Sequence, residues 1–212
     1  MGRGHPRYAR YYARVSPALE RSLAPHRRAL LAGLSGRVVE VGAGNGLNFP
    51  HYPPAVTEVL AVEPEPLLRS LAEASAARAA VSIKVVDGVA EDLPAGDASF
   101  DAAVTCLVLC TVTDQAGALA ELRRVLRPGG ELRFLEHVRA ESAGRRRVQR
   151  VLDATVFPLL VGGCHCGRDT AAAIEAAGFT IGRVKRLGTA DTGIPFPSAP
   201  QLLGAATSGS AQ

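Results

Sequence analysis

Val38-Val39-Glu40-Val41-Gly42-Ala43-Gly44-Asn45-Gly46 is the stretch that decides how the rest of the chain reads. From Arg37 to Val41 it is a β-branched run, and its near-continuous apolar character is that of a strand buried on both faces. Beyond Val41 come three glycines at alternating positions, which let a backbone turn tightly and approach a ligand with no Cβ in the way. The chain that follows repeats the change of period. Thr57 to Val62 reads as a second strand, and Pro64 to Arg78 as a helix with Leu67, Leu68, Leu71 and Ala72 on one face. Val81 to Val86 is a third strand and Phe100 to Cys106 a fourth. Asp114 caps a helix to about Leu126, which Arg127-Pro128-Gly129-Gly130 ends. Glu131 to Glu136 is a fifth strand, a helix runs from Asp169 or Thr170 to Gly178, and Phe179 to Leu187 and Gln201 to Thr207 complete the set. Strands alternating with helices predict an α/β fold: a doubly wound, mostly parallel seven-stranded sheet with helices on both faces.

Outside this core the pattern is different. Pro6 to Leu34 has helical spacing interrupted by Pro17 and Pro25, which predicts two or three short helices, and residues 1–36 are expected to form a helical cap. Residues 37–207 make the main domain. Within it, 138–168 is an insertion long enough to act as a lid, with a helix expected from Arg145 to about Leu160. Residues 208–212 are expected to be a flexible tail.

The Gly-rich turn carries the strongest chemical signal. A dinucleotide loop reads G-x-G-x-x-G and seats a pyrophosphate on a helix N-terminus. Here the spacing is G-x-G-x-G, and Glu40 places an acid in the strand end. That charge repels a pyrophosphate and suits a cation such as the methionyl ammonium of S-adenosylmethionine, directly or through water. Gly42, Ala43, Gly44, Asn45 and Gly46 are therefore expected at this cofactor. Glu63, followed by Pro64, ends the second strand 19 positions beyond Gly44, where a carboxylate accepts both ribose hydroxyls of a nucleoside. Gly88, Val89, Ala90 and Glu91 are expected around the adenine. Cys106 and Leu107, at the end of the fourth strand, are expected beside the methionyl part.

The combination VVEVGAGNG, AVEP, GVAEDLP, SFDAAV and LRRVLRPGG, over roughly Val38 to Glu136, resembles the class I S-adenosylmethionine-dependent methyltransferases with small-molecule acceptors. The resemblance implies a Rossmann-like sheet, S-adenosylmethionine as cofactor and methyl transfer as the reaction. Many such enzymes have an Asp for the adenine amino group where this chain has Val89; here that contact passes to Glu91 or to the backbone around Ala90. A narrower set is similar to the methyltransferase-like group that includes alkyl-thiol S-methyltransferases. It comprises Gly46-Leu-Asn-Phe-Pro-His-Tyr-Pro53, Cys106-Leu-Val-Leu-Cys-Thr-Val112, Glu136-His137-Val138, and Leu152-Asp153 to Gly163-Cys164 with Arg168. Unlike that group's eukaryotic thiol enzymes, this protein is expected to have no N-terminal membrane anchor, and it has Cys166 where an aliphatic residue is more usual.

Other residues invite separate readings. His137 follows the fifth strand, where ligands of open α/β sheets bind, and is the candidate catalytic base; the alternative is a hydrogen-bonded structural histidine. Cys164-His165-Cys166 suggests zinc, but three adjacent residues chelate poorly and structural zinc takes four spaced ligands. Cys106 and Cys110 are assigned to the sheet core, so no metal is expected and the Cys-His-Cys loop is read as lining the acceptor pocket. Arg145, Arg146, Arg147 and Arg150 precede an apolar stretch, Val151 to Val161. This is read as a solvated helix with a core-facing stripe, with weak peripheral membrane contact as the alternative.

Composition sets the outer limits. The 212 residues are 47% hydrophobic and 21% charged with a net charge of +4, which suits one ordinary globular domain. Aromatics at 5% and the absence of a separate basic domain argue against nucleic acid as a partner. No run of eighteen apolar residues exists to span a bilayer, and the start, Met1 to Arg7, has no apolar secretory core. A cytoplasmic location with reduced thiols is expected. Nothing in the sequence fixes an oligomeric state. The leading function is S-adenosylmethionine-dependent methylation of a small molecule, with a thiol first and a quinone precursor, phenol or phospholipid amine as alternatives. A non-catalytic S-adenosylmethionine-binding protein and a nicotinamide-dependent oxidoreductase complete the field; the glycine spacing and Glu40 count against the last.

Overall fold

The computed structural model describes residues 5–209. In chain order its elements are α1 (Pro6–Leu31), β1 (Gly36–Val41), β2 (Val56–Val62), α2 (Pro66–Ala76), β3 (Ile83–Val86), β4 (Phe100–Cys106), α3 (Gln115–Val125), β5 (Leu126–His137), α4 (Ala143–Asp153), α5 (Phe157–Leu160), α6 (Thr170–Ala176), β6 (Phe179–Leu187), α7 (Thr189–Thr192) and β7 (Gln201–Ser208). The sheet has seven strands in the order β3-β2-β1-β4-β5-β7-β6. The first five are parallel, and β7 runs antiparallel between β5 and β6.

This is the doubly wound sheet that the alternation of periods predicts, and the burial explains the pattern. Val38, Val39 and Val41 of β1 are all buried because helices cover both faces. Val39 and Val41 join the apolar cluster under α3 and α6, with Leu119, Leu122 and Ile174. Val38 joins the one under α1 and α2, with Leu30, Leu31 and Ala72. Chain order runs outward from β1 through β2 to β3 and then restarts at β4 on the other side of β1. The carboxyl ends of β1 and β4 therefore flank the point where the winding reverses.

Four segments differ from the sequence-based expectation. The N-terminal segment is one helix, not two or three: α1 is continuous for 26 residues with Pro17 and Pro25 inside it. Both prolines are exposed, so the carbonyls they deprive of a partner face solvent. The inner face, with Leu23, Arg27, Leu30 and Leu31 buried, holds the helix to the domain. The Arg127–Gly130 segment ends α3 as expected, but Leu126 already pairs with Phe100, and the ladder resumes at Ala102 and Glu131 after the excursion. Ser208, assigned to the tail, belongs to β7, where it pairs with Phe179 and donates from Oγ to the Arg127 carbonyl at 3.0 Å. The rest of the tail expectation, over 210–212, lies outside the described residues.

The insertion departs most. The expected single helix is two, α4 and α5, because Pro158 starts a new helix and Asp153 turns inward to accept the N–H of Cys166 at 3.0 Å and of Gly167 at 2.8 Å. The expected core-facing apolar stripe, Val151 to Val161, turns inward only in part: Phe157 and Val161 pack against the buried cysteines, whereas Val151, Val156, Leu159 and Leu160 face solvent. The buried residue of α4 is Gln149. Its Oε1 accepts from Ala140 N at 2.7 Å, and its Nε2 lies within hydrogen-bond reach of the carbonyls of Val138, Cys166 and Pro197. One amide thus ties the helix to both ends of the insertion and to the β7 approach. Gln149→Leu keeps the volume but strands these buried backbone groups, and is expected to lower unfolding free energy by about 2 kcal/mol or more in urea titration. A change within 0.5 kcal/mol, the usual size for a surface substitution, would show that the insertion is held elsewhere.

Candidate active site

A cavity of about 280 Å³ opens at the reversal point, beyond the carboxyl ends of the strands. Gly42 and Gly44 reach it from the turn after β1, and Glu63 and Pro64 from the end of β2. Gly88, Val89, Ala90 and Glu91 reach it from beyond β3, Cys106 and Leu107 from the end of β4, and His137 from the end of β5. Tyr8 and Tyr12 of α1 form part of the far wall with Val161 and Gly162 of the insertion.

The turn after β1 needs its glycines. Gly42 has φ +67°, and a Cβ there would lie 2.4 Å from Val108 Cγ2. Gly162, at φ +57°, meets Tyr8 in the same way: a Cβ would sit 2.4 Å from the ring. The N-terminal helix and the insertion thus close on each other over the cavity. Leu107, which is not glycine, also has a left-handed backbone, φ 62°. Its N–H donates to the Leu135 carbonyl at 2.7 Å, and this strand-end bond holds a conformation that costs energy in isolation.

Glu63 is 5% exposed. Its Oε2 accepts from Gly44 N at 2.8 Å and its Oε1 from Glu65 N at 3.0 Å. The carboxylate joins the glycine turn to the end of β2, and each oxygen keeps a lone pair for a hydroxyl. Burial raises its pKa, opposed by the two backbone hydrogen bonds. Glu91 Oε1 accepts from Asp114 N at 3.2 Å, so its side chain is braced against the start of α3.

Four expected cofactor residues do not line the cavity. Ala43 is buried in the cluster under α1 and α2. Asn45 Nδ2 donates to Ser16 Oγ at 2.9 Å, facing α1. Gly46 turns toward the Phe49 ring, 2.7 Å from where a Cβ would be. Glu40 is the instructive correction. Its Oε1 accepts from Asn48 Nδ2 at 2.9 Å and its Oε2 from Tyr52 OH at 2.6 Å, and it is 2% exposed. The short 3-10 turn Phe49–His51 brings both partners beneath the glycine turn, so the carboxyl braces the loop from behind instead of facing a ligand.

Two buried residues complete this frame: Arg27, which the sequence did not mark, and Glu136, which it marked only as part of the Glu136-His137-Val138 motif. Arg27 of α1 donates to Asn48 Oδ1 at 2.9 Å, Glu20 Oε2 at 3.0 Å and Cys106 Sγ at 3.2 Å. Glu136, fully buried, accepts from Val108 N at 3.1 Å and Cys110 N at 3.3 Å. Arg168 reaches the same loop from the other side, donating to the carbonyls of Leu109 and Val112. The loop after β4 is therefore gripped from both sides, and Cys110 sits within it.

Cys110 does not belong to the sheet core. It lies against Cys164 of the insertion, and both sulfurs approach His137 Nδ1, at 3.5 Å and 3.4 Å. The neighbours of Cys164 turn away: Cys166 bonds Asp153, and His165 Nδ1 lies 2.8 Å from the Gly163 carbonyl. The four cysteines are free. Adjacency of β4 and β5 would have signalled that Cys110 approaches His137; nothing in the sequence pattern foretells the arrival of Cys164.

Residues 39–134 match the family described as a methyltransferase domain. The chain is 36% identical over 188 residues to thiol S-methyltransferase TMT1B of Homo sapiens, covering 81% of this chain and 75% of that protein. It belongs to the S-adenosylmethionine-dependent methyltransferases. To thiol S-methyltransferase TMT1A of Homo sapiens it is 40% identical over 158 residues, 70% of this chain, and there it spans only 63% of the relative's length. A solved geranyl diphosphate methyltransferase in complex with S-adenosylmethionine superposes with a TM-score of 0.72 at 17% identity, over 93% of this chain and 90% of that one. A putative methyltransferase from Bacillus halodurans C-125 gives 0.69 at 16% identity, over 89% and 99%.

The residues present fit this family's cofactor, S-adenosylmethionine. Glu63 offers lone pairs beside a turn kept free of Cβ atoms, and the segment Gly88 to Glu91 walls the same end of the cavity. Glu40 contributes from underneath. Burial is the larger influence on it and lifts its carboxyl from 4.5 to about 7, against the hydrogen bonds of Tyr52 and Asn48 and the charge of Arg27. Because the folded pKa lies above the unfolded one, the folded state binds the proton more tightly. The contribution of Glu40 to stability is then largest below about pH 4.5 and is lost as pH rises to about 7, by on the order of 3 kcal/mol. Urea unfolding at a series of pH values is expected to show this slope, and Glu40→Gln to lose that part of it. Parallel curves for the two proteins would assign the slope to other groups.

Proposed function

We propose that this methyltransferase transfers a methyl group to the sulfur of a small thiol. The observation that carries the reading is the cavity itself, which runs from Glu63, past Gly44 and Cys106, to His137 and Cys110. One end has the features of a nucleoside site; the other is enclosed by aromatic and apolar side chains with a histidine at its wall. The thiol S-methyltransferases among the relatives, at 36–40% identity, support a thiol ahead of a phospholipid amine, which a phosphatidylethanolamine N-methyltransferase at 28% represents.

When bound, S-adenosylmethionine supplies an electrophilic methyl group on a sulfonium. In this proposal Glu63 accepts the ribose hydroxyls, and the glycine turn lets the backbone lie close to the cofactor. Tyr8, Val161 and Gly162 cover the acceptor end, excluding water and holding the sulfur in line, so positioning supplies most of the rate. His137 lines the acceptor end, and its Nε2 is buried with no partner among the described residues. It is available to hydrogen-bond a polar group of the bound acceptor, whose sulfur attacks as the thiolate.

Among the described residues no helix is long and apolar enough to cross a membrane. The exposed Leu159 and Leu160 of α5, following the exposed Arg145, Arg147 and Arg150 of α4 in the chain, support a peripheral contact with an anionic membrane surface from the cytoplasmic side.

The test is release of S-adenosylhomocysteine with an alkyl thiol, a phenol, a quinone precursor or a phosphatidylethanolamine vesicle as sole acceptor. The expected result is release with the thiol alone. Glu63→Gln, which weakens charge-assisted hydrogen bonds, is expected to raise KM for S-adenosylmethionine about tenfold or more. Release with another acceptor but not the thiol would reassign the substrate. Cofactor binding without release from any acceptor would favour a non-catalytic role.

A further inference from the structure

Cys110, His137 and Cys164 are buried together at the acceptor end of the cavity, which all three line. Their ligand atoms lie within 4.8 Å of one another. Both sulfurs approach the same ring nitrogen, Cys110 at 3.5 Å and Cys164 at 3.4 Å from Nδ1. An imidazole nitrogen has one lone pair or one N–H, so hydrogen bonding to two thiols at once has to be shared and is weaker for each. A cation between them serves all three at once. With zinc–sulfur bonds of about 2.3 Å and a zinc–nitrogen bond of about 2.0 Å, the sulfur-to-nitrogen edge of a tetrahedron comes to about 3.5 Å. That is the spacing found.

The surroundings are those of a held site. Glu136 fixes the backbone of Cys110, whose carbonyl accepts from His165 N at 2.7 Å, and this bond joins the loop after β4 to the insertion beside Cys164. Structural zinc takes four protein ligands, whereas three protein ligands leave a fourth position for water or substrate. Here the three face a cavity that already fits a cofactor. The second ring nitrogen, His137 Nε2, is buried and without a protein partner, which leaves it to a bound molecule.

We propose that Cys110, His137 and Cys164 bind a zinc ion whose fourth ligand is the sulfur of the acceptor. The identity of that fourth ligand rests on the thiol reading above. Coordination releases the thiol proton to solvent and keeps the sulfur as thiolate at neutral pH. A sulfur lone pair then forms the bond to the methyl carbon. The bond from that carbon to the sulfonium breaks, and its electron pair stays with the departing thioether. The metal keeps its oxidation state throughout, and the methylated product, a neutral thioether, is the weaker ligand and leaves.

The test measures metal before activity. The whole chain, purified without chelator, is expected to carry one equivalent of zinc by elemental mass spectrometry. Cys110→Ala and Cys164→Ala are expected to weaken zinc binding at least ~100-fold, whereas Cys166→Ser retains it. Circular dichroism sets aside any variant that does not fold, and Cys164→Asp, which keeps an anionic ligand, is expected to recover part of the affinity. Replacing zinc by cobalt is expected to give a thiolate-to-cobalt charge-transfer band that shifts on adding an alkyl thiol and not a phenol. Protein that neither carries zinc nor gives this band would overturn the site, as would a fully active fraction with Cys110 disulfide-linked to Cys164. The two proposals fail separately: undiminished thiol methylation after chelation removes the metal and keeps the thiol, while a cobalt band without thiol methylation keeps the site and removes the thiol.

Discussion

A buried carboxyl under the glycine turn sets the geometry on which the rest of the cavity depends. Glu40 sits in a strand covered on both faces, where an isolated charge is costly. Its neighbours offset part of that cost. Asn48 and Tyr52 hydrogen-bond its two oxygens, and Arg27 from the N-terminal helix reaches Asn48 from the other side. The same guanidinium bonds Cys106 at the end of β4. One connected set of polar groups thereby ties α1, the turn after β1 and the end of β4 to a common point. Removing one member of such a buried network leaves the others unpaired, which is why they act as a unit.

Above that frame the cavity is assembled from strand ends. The reversal of winding between β1 and β4 leaves a gap that no crossover helix fills, and five strand ends contribute residues to it. The rigid sheet supplies position and the connecting loops supply chemistry. Glu63 and Glu136 do comparable work at different places: each is a buried carboxylate that accepts backbone N–H groups and so fixes a loop next to the site. A carboxylate used in this way orients the backbone more stiffly than a side chain on the surface, because its alternatives in water are gone.

The sheet, and the meeting of Gly42, Gly44, Glu63 and Gly88 to Glu91 at one cavity, were legible in the sequence because they rest on local signals. A β-branched run followed by spaced glycines has few other meanings, and Glu63 falls at a fixed distance from it. The misreadings arise where a local signal meets a tertiary one. Pro17 and Pro25 mark breaks in an isolated helix, yet α1 stays whole since its buried face outweighs two lost bonds on its exposed side. Glu40 reads alike whether it faces a ligand or sits beneath the loop, and only the path of residues 48–52 decides between them. Val151 to Val161 reads as one core stripe by composition, yet only Phe157 and Val161 pack against the buried cysteines, and the buried anchor of α4 is a glutamine whose four partners are scattered from Val138 to Pro197. The meeting of Cys110 with Cys164 spans two elements with no shared period, so no pattern in the sequence could announce it.

Tyr8 and Gly162 touch where the N-terminal helix meets the insertion, and the contact leaves no room for a side chain at position 162. Each segment is thus the template for the other, although more than 150 positions separate them. Neither can change shape alone without opening the cavity or clashing, so the acceptor range of this scaffold is inherited as a matched pair. A change in the shape of this wall has to proceed through coordinated replacement of both segments, leaving the sheet and the glycine turn untouched.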